Sequence, residues 1–438
     1  MASAVHSIPS IDEQFVFTAA TKKKLFILAA VGIVLILLGV YLMASGSGHG
    51  HDVAHAADGH GAHGGDDHGH GYHWIKRVWA NLWLNGIFFT GISVAGMFWL
   101  SYNYLAQAGW SAVFKRIPEA MPAFLPVTGA VMLLTFLFGG HDLFHWTHSS
   151  LYDPNSPDFD PIINGKKGYL NTPFFLIRMV VYFAGWYGLW RVLRNASLEE
   201  DVVGGLDNYH KQVKFGVIFL VFFAVTSSTS AWDFIMSIDT HWFSTMFGWY
   251  TLANWHVTGL ATIVLIVVTL KENGYLKALN ASHLHDLGKF VFAFTIFWTY
   301  VWFAQFLLYY YANIPEEVIY FWERFNGYGG AYKILFFVNI IVNFVFPFLL
   351  LMTRDSKRTP VILKLACWFV IIGHYIDFFN NIMPGTVGAH GAIGPFEVGC
   401  FALFASGFIW TVASQLEKAK LIAPHHPMLQ ESLYHDIE

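Results

Sequence analysis

The chain has 438 residues, of which 55% are hydrophobic, 18% aromatic and 12% charged, with a net charge of −4. Soluble chains carry about 25% charged residues, so this composition cannot solvate a globule of the same size, and the near-neutral balance argues against nucleic acid as a partner. Cys367 and Cys400 fall in separate apolar segments, and without CxxC or CxxCH spacing neither iron–sulfur ligation nor covalent c-type haem is expected in this chain.

A bilayer core takes about 20 mostly apolar residues per helix. Ten segments meet that demand: 25–45, 80–103, 121–141, 172–194, 214–236, 242–270, 288–312, 331–353, 361–383 and 394–416. Backbone amides in lipid must bond within their own segment, so each is expected to be helical. The expected fold is an all-α integral membrane protein of about ten transmembrane helices. The first span follows Lys22, Lys23 and Lys24 and has no small-residue cleavage site ahead of a soluble domain, so it reads as a retained span. Residues 1–24 and 417–438 are then tails on the same side.

Between the first two spans, 46–79 forms an outer loop whose Gly- and His-rich part includes His49, His51, His55, His60, His63, His68, His70 and His73. Zinc or copper scavenging is one reading of such a tract; a solvated linker unable to build a core is the favoured one. The third span ends in FGGHDLFHWTH, with His141, His145 and His148 at i, i+4, i+7 and Asp142 adjacent. That stripe reads as a wet, titratable outer patch more readily than as a metal site. Residues 149–171 carry turn signals, 197–213 suggests a short amphipathic helix on the inner surface, and 313–330 suggests an outer interfacial element.

Ionisable groups within spans cost about 2.5–3.5 kcal/mol each to insert, so each needs a reason. The fifth span ends in TSSTSAWDFIMSID, which places Asp233 inside its outer end and Asp239 and His241 in the following turn. His256 falls near mid-depth in the sixth span. In the ninth, WFVIIGHYIDFFNNIMPG puts His374, Asp377 and Asn381 on one face. A His–Asp pair there can exchange protons near neutral pH, or merely knit helices together. His256 and His374 make bis-histidine haem ligation geometrically conceivable, but no helix carries stacked histidines. Cys367 lies inward and Cys400 outward in successive helices, too far apart for a disulfide.

Spans two to five echo spans six to nine. Arg178 opens the fourth and Lys333 the eighth; W-D-F surrounds Asp233 and I-D-F surrounds Asp377. This pattern suggests two four-helix bundles, 80–236 and 242–383, with 25–45 and 394–416 peripheral, and with Arg178 and Lys333 each tuning one carboxylate. Eighteen of the 25 Lys and Arg residues fall on the side of the N-terminus and seven opposite, which places both termini in the cytoplasm.

The stretch AWDFIMSIDTHWFSTMFGWYTLAN (231–254), followed by His256, and the tail APHHPMLQESLYHDIE (423–438) resemble the F subunits of alternative complex III, within the NrfD/polysulfide-reductase-like membrane family. The resemblance spans the ten helices, with 46–73 as an insertion. It implies a bacterial inner-membrane subunit of a quinol:cytochrome c (or oxidase) oxidoreductase. Partner subunits would carry the iron–sulfur clusters and haem c, beside a related membrane subunit and a terminal oxidase. Quinone or quinol is the only cofactor expected near this chain, and of the family motif only Asp239 and His241, together with Asp233, carry over.

The resulting expectation is a subunit without a redox centre or catalytic residue of its own. Asp233 and Asp377 relay protons, His374 and His256 extend the path inward, and His141 and Asp142 lie at its outer end. The competing readings are a metal-ion or solute transporter using the His-rich loop as collector, and a purely structural assembly subunit.

Overall fold

The computed structural model describes residues 12–46 and 73–436; of the His-rich tract only His73 is described, its side chain accepting from the Ile75 amide, and the other expectations for the tract lie outside the described residues. Ten long helices carry the chain: α1 Ala19–Gly46, α2 Trp74–Leu105, α3 Leu125–Leu143, α4 Thr172–Val203, α5 Asp207–Phe234, α6 Phe247–Glu272, α7 Ala281–Ala312, α8 Lys333–Leu350, α9 Pro360–Val387 and α10 Pro395–Glu417. Nine of them, among the described residues, are long and apolar enough to cross a membrane. The tenth, α4, has the length but carries Arg178, Arg191 and Arg194 along it. The protein is an all-α, multi-pass membrane protein.

Local chemistry sets where the helices begin. The Asn171 side chain accepts from the Phe174 amide at the start of α4, and Asn280 accepts from the amides of Ser282 and His283 at the start of α7; both satisfy donors that a helix start leaves free. The amphipathic helix expected over 197–213 does not form. Instead α4 runs on to Val203, and Gly204 and Gly205, with φ of +68° and +79°, turn the chain directly into α5. Glycine takes that left-handed backbone at no steric cost. The outer element expected over 313–330 is a short helix, Pro315–Phe325.

Packing repeats with a four-helix offset. In the first half α2 packs on α3 and α5, and α4 on α5 and α3; in the second α6 packs on α7 and α9, and α8 on α9 and α7. The halves meet where α2 packs on α6 and α9, with Gly91 of α2 directly under the Trp255 ring and Gly259 of α6 against Ala95. α1 and α10 pair at the periphery, where Gly32 and Gly399 let the two backbones touch, as small residues do between membrane helices. The rest of α1 presents Phe26, Val34, Leu37 and Tyr41 outward, as a lipid-facing helix should.

Both described termini lie on one face, where the Leu421 amide donates to the Glu13 carbonyl. The tail packs over this terminal face, with His435 Nε2 2.7 Å from Asp286 Oδ2. Residues 143–171, 235–246 and Pro315–Phe325 form the opposite, loop face. Cys367 and Cys400 are both buried and unpaired by a disulfide.

Candidate functional site

Two of the expected intramembrane carboxylates sit in opposite electrostatic settings. Asp233, fully buried near the end of α5, is gripped by Arg178 of α4: Nε donates to Oδ2 at 2.8 Å and Nη2 to Oδ1 at 2.9 Å. Tyr182, one turn further along α4, donates to Oδ2 at 2.7 Å. The guanidinium is covered by the Tyr169 and Phe174 rings at 3.9 and 4.3 Å. A bidentate pair under aromatic rings is a closed unit; breaking it by removing one partner costs about 3–5 kcal/mol.

Asp377 of α9 is equally buried, 1% exposed, yet among the described residues no Lys or Arg forms an ion pair with it. Its partners are neutral. Tyr250 and Asn254 of α6 donate to Oδ2, the latter at 2.7 Å, and Asn339 of α8 donates to Oδ1 at 2.7 Å. Asn343 in turn donates to Asn339 Oδ1 at 2.5 Å. Lys333, expected to tune Asp377, does not do so: it is exposed at the first turn of α8. The residue that answers Arg178 in the second half is therefore Asn339, and it is uncharged.

Two prolines shape this region. Pro347 in α8 has no amide hydrogen for the Asn343 carbonyl, and the preceding turn opens to a π-helix over Ile341–Val345, with the Phe346 amide reaching back to Ile341 O. Pro384 sits inside α9 and leaves the Asn380 carbonyl without its usual amide. Arg324 of Pro315–Phe325 fills that place: Nε donates to Asn380 O at 2.9 Å and Nη2 to Asn381 O at 3.2 Å. Nη2 also meets Asp239 Oδ2 at 3.2 Å, and the Tyr320 ring lies 3.4 Å beneath the guanidinium.

Between these groups lies a small cavity of about 20 Å³, open in part, whose wall includes Asp377, Asn339, Asn381, Gln305, Tyr320 and Arg324. From the loop face inward, Tyr320 donates to Asn381 Oδ1 at 2.8 Å, and Asn381 donates to the Tyr250 hydroxyl at 3.2 Å, which reaches Asp377. A space of this size with several polar groups on its wall admits about one water. The arrangement can bind a proton on Asp377 and exchange it with water from the loop side.

Deeper in, His374 lies one turn from Asp377, fully buried, with its ring 4.9 Å from that of Trp298 on α7. His256 rests one α7 turn away, 4.3 Å from Phe294, with Nε2 3.5 Å from the Tyr102 hydroxyl of α2. The two histidines thus stand on successive turns of one α7 stripe. Thr258 and Thr262 continue the Tyr250–Asn254 stripe along α6 by donating to carbonyls four residues back, at 2.7 and 2.8 Å.

The remaining expected residues lie elsewhere. His141 is exposed at the end of α3, its Nδ1 3.0 Å from the Thr147 hydroxyl, and Asp142 beside it is half-buried; neither lines the Asp377 cavity. His241 is exposed on the loop face and bonds Asp160 Oδ2 at 2.5 Å. Asp239 belongs to the site through Arg324. Among the described residues no group of three or more His, Cys, Asp or Glu is arranged to hold a metal ion.

Composition-level counting hid a second charged cluster. Lys115, Arg116 and Arg194, read as inner-surface charges, are instead buried on the terminal face: Lys115 pairs with Glu200 at 2.8 Å, and Arg116 and Arg194 each meet Glu119 at 3.0 Å. Arg116 also pairs with Asp201. Tyr250, Asn254, Asn339 and Arg324 were likewise missed, although the four-residue spacing of Tyr250, Asn254, Thr258 and Thr262 inside an apolar span marks a polar stripe.

No protein-family description matches this chain, and no curated protein matches it either.

Proposed function

We propose that the chain is a membrane subunit of a respiratory quinol:cytochrome c (or oxidase) oxidoreductase, contributing a proton path and holding no redox centre itself. One observation carries the proton-handling part: Asp377 is buried without a cation, held only by neutral donors, on the wall of a polar cavity. A structural carboxylate in a membrane bundle is paired with an arginine, as Asp233 is. Asp377 instead has partners that tolerate either protonation state: a hydroxyl accepts or donates, and an amide can turn.

In this reading Asp377 is the proton site, and His374, His256 and Tyr102 extend the route toward the terminal face. Asp233 with Arg178 is a rigid strut. Quinol oxidation, the iron–sulfur and haem c partners, the related membrane subunit and the bacterial inner-membrane location rest on the sequence resemblance in 231–254 and 423–438, and the cytoplasmic placement of both termini rests on the distribution of Lys and Arg. The basic residues paired on the terminal face agree with that orientation.

Affinity purification of the tagged chain from its native membrane tests the assembly. An iron–sulfur subunit and a c-type haem spectrum should travel with it; a chain that purifies alone, without haem, would overturn the proposed complex. Removal of residues 49–72 separates off the transporter alternative, because quinol oxidation should survive the deletion.

A further inference from the structure

On the loop face two carboxylates face Arg324, which lies on the wall of the Asp377 cavity. Arg324 is 2% exposed, and its donors are committed: Nε to Asn380 O, Nη1 to Tyr320 O at 2.6 Å, Nη2 to Asn381 O and Asp239. Asp239 takes the ion pair at 3.2 Å, while Glu323 Oε2 stands 3.9 Å from Nη1. The Glu323 side chain is 19% exposed, so it touches both solvent and the buried arginine.

We propose that Glu323 is the proton-exchange carboxylate beside Arg324, the arginine on the wall of the Asp377 cavity, with Arg324 as its counter-charge and Asp239 as the competing carboxylate. This rests on the reading of Asp377 as a proton site. A proton moving outward breaks an O–H bond at Asp377, passes through water in the cavity, forms an O–H bond at the Glu323 carboxylate, and leaves to solvent water; no electrons move. Arg324 cannot serve, since a guanidinium keeps its protons. Asp239 is the poorer exchanger because it holds the closer ion pair.

The charged and titratable groups facing Glu323 are Asp239 from 235–246, Arg324 and Tyr320 from its own helix, and Tyr328 beyond it. Burial, with the Asp239 charge adding to it, pushes the Glu323 carboxyl up to about 7 against the pull of Arg324. A carboxyl there is half-protonated near neutral pH, which suits a group that must both take and give.

The test is an infrared pH titration of the full-length protein in lipid nanodiscs, following the protonated-carboxyl band. Wild type should lose such a band around pH 7. With the Asp377 band removed in D377N, the transition should remain; it should vanish in the E323Q/D377N double variant and persist in E323D/D377N. A neutral-pH transition that persists in E323Q/D377N, or a Glu323 that titrates in the range of a free glutamate, overturns the inference. Proton release by the D377N variant decides the Asp377 reading separately, so the two can fail independently.

Discussion

The Arg324 Nε donates to the carbonyl of Asn380 at 2.9 Å, the oxygen whose helical partner would be the amide that Pro384 lacks. A residue from a surface helix thereby completes the hydrogen bonding of a kinked membrane helix, three residues beyond Asp377. The kink, the arginine and the carboxylate are one unit. A buried carbonyl in this region cannot be left to lipid, so Pro384 is tolerated because Arg324 is there.

This coupling predicts a non-additive pair. Arg324→Ala should lower stability by about 1–3 kcal/mol through the unsatisfied Asn380 oxygen alone. In the Pro384→Ala background the amide returns, and the same arginine substitution should cost measurably less. Thermal unfolding of the four proteins of the cycle reads the difference; equal costs in both backgrounds would separate Arg324 from the kink.

For the first bundle the expectation is structural. Arg178→Ala leaves the Asp233 charge buried and should destabilise by about 3–5 kcal/mol. Pairing it with Asp233→Leu should recover most of that loss, because the uncompensated charge is gone. A double variant as unstable as the single one would mean that Asp233 has work beyond its ion pair.

Lys333→Gln should change stability and proton release by nothing measurable, since Lys333 is exposed and surface substitutions usually stay within about 0.5 kcal/mol. Asn339→Leu should impair both, because it removes the donor to Asp377 Oδ1. The same two assays on both variants rank the positions; the reverse order would restore Lys333 as the tuning residue.

On the loop face, Asp160 gives a pH dependence of defined sign. Burial pushes its carboxyl up, but the Ile163 amide and His241 outweigh it and hold it below the usual 3.8. A depressed carboxyl contributes stability above its unfolded value and loses it as pH falls through the folded one. Hydrogen exchange across 143–171 should accelerate only in acid, below that range. Acceleration already at neutral pH would assign the anchoring to another contact.

The helix count and positions were legible in the sequence because hydrocarbon allows few alternatives: runs of about 20 apolar residues must be helices. Asp233, Asp377, His256 and His374 were legible for the same reason, each being conspicuous in an apolar run. Their partners were not. Arg178 with Asp233 emerged from the four-helix echo, but extending the echo to Lys333 failed: the second half uses Asn339, six residues on, and amides do not announce themselves in a charge count. Arg324 reads as an ordinary loop cation until the Pro384 kink shows what it bonds. Lys115, Arg116 and Arg194 look like flanking basic residues because their carboxylate partners Glu119, Glu200 and Asp201 come together only when α4 packs on the short helix Arg116–Ala120 that precedes α3.

The most direct measurement is the proton-to-electron ratio of the intact complex, reconstituted in vesicles, with Asp377→Asn in this subunit. The amide keeps the shape and most hydrogen bonds but cannot bind the transferable proton. Proton release per electron should fall while the assembled subunits and their haem content stay as in the wild type. An unchanged ratio at full turnover would contradict Asp377 as a proton site and leave its polar cage a helix-packing device.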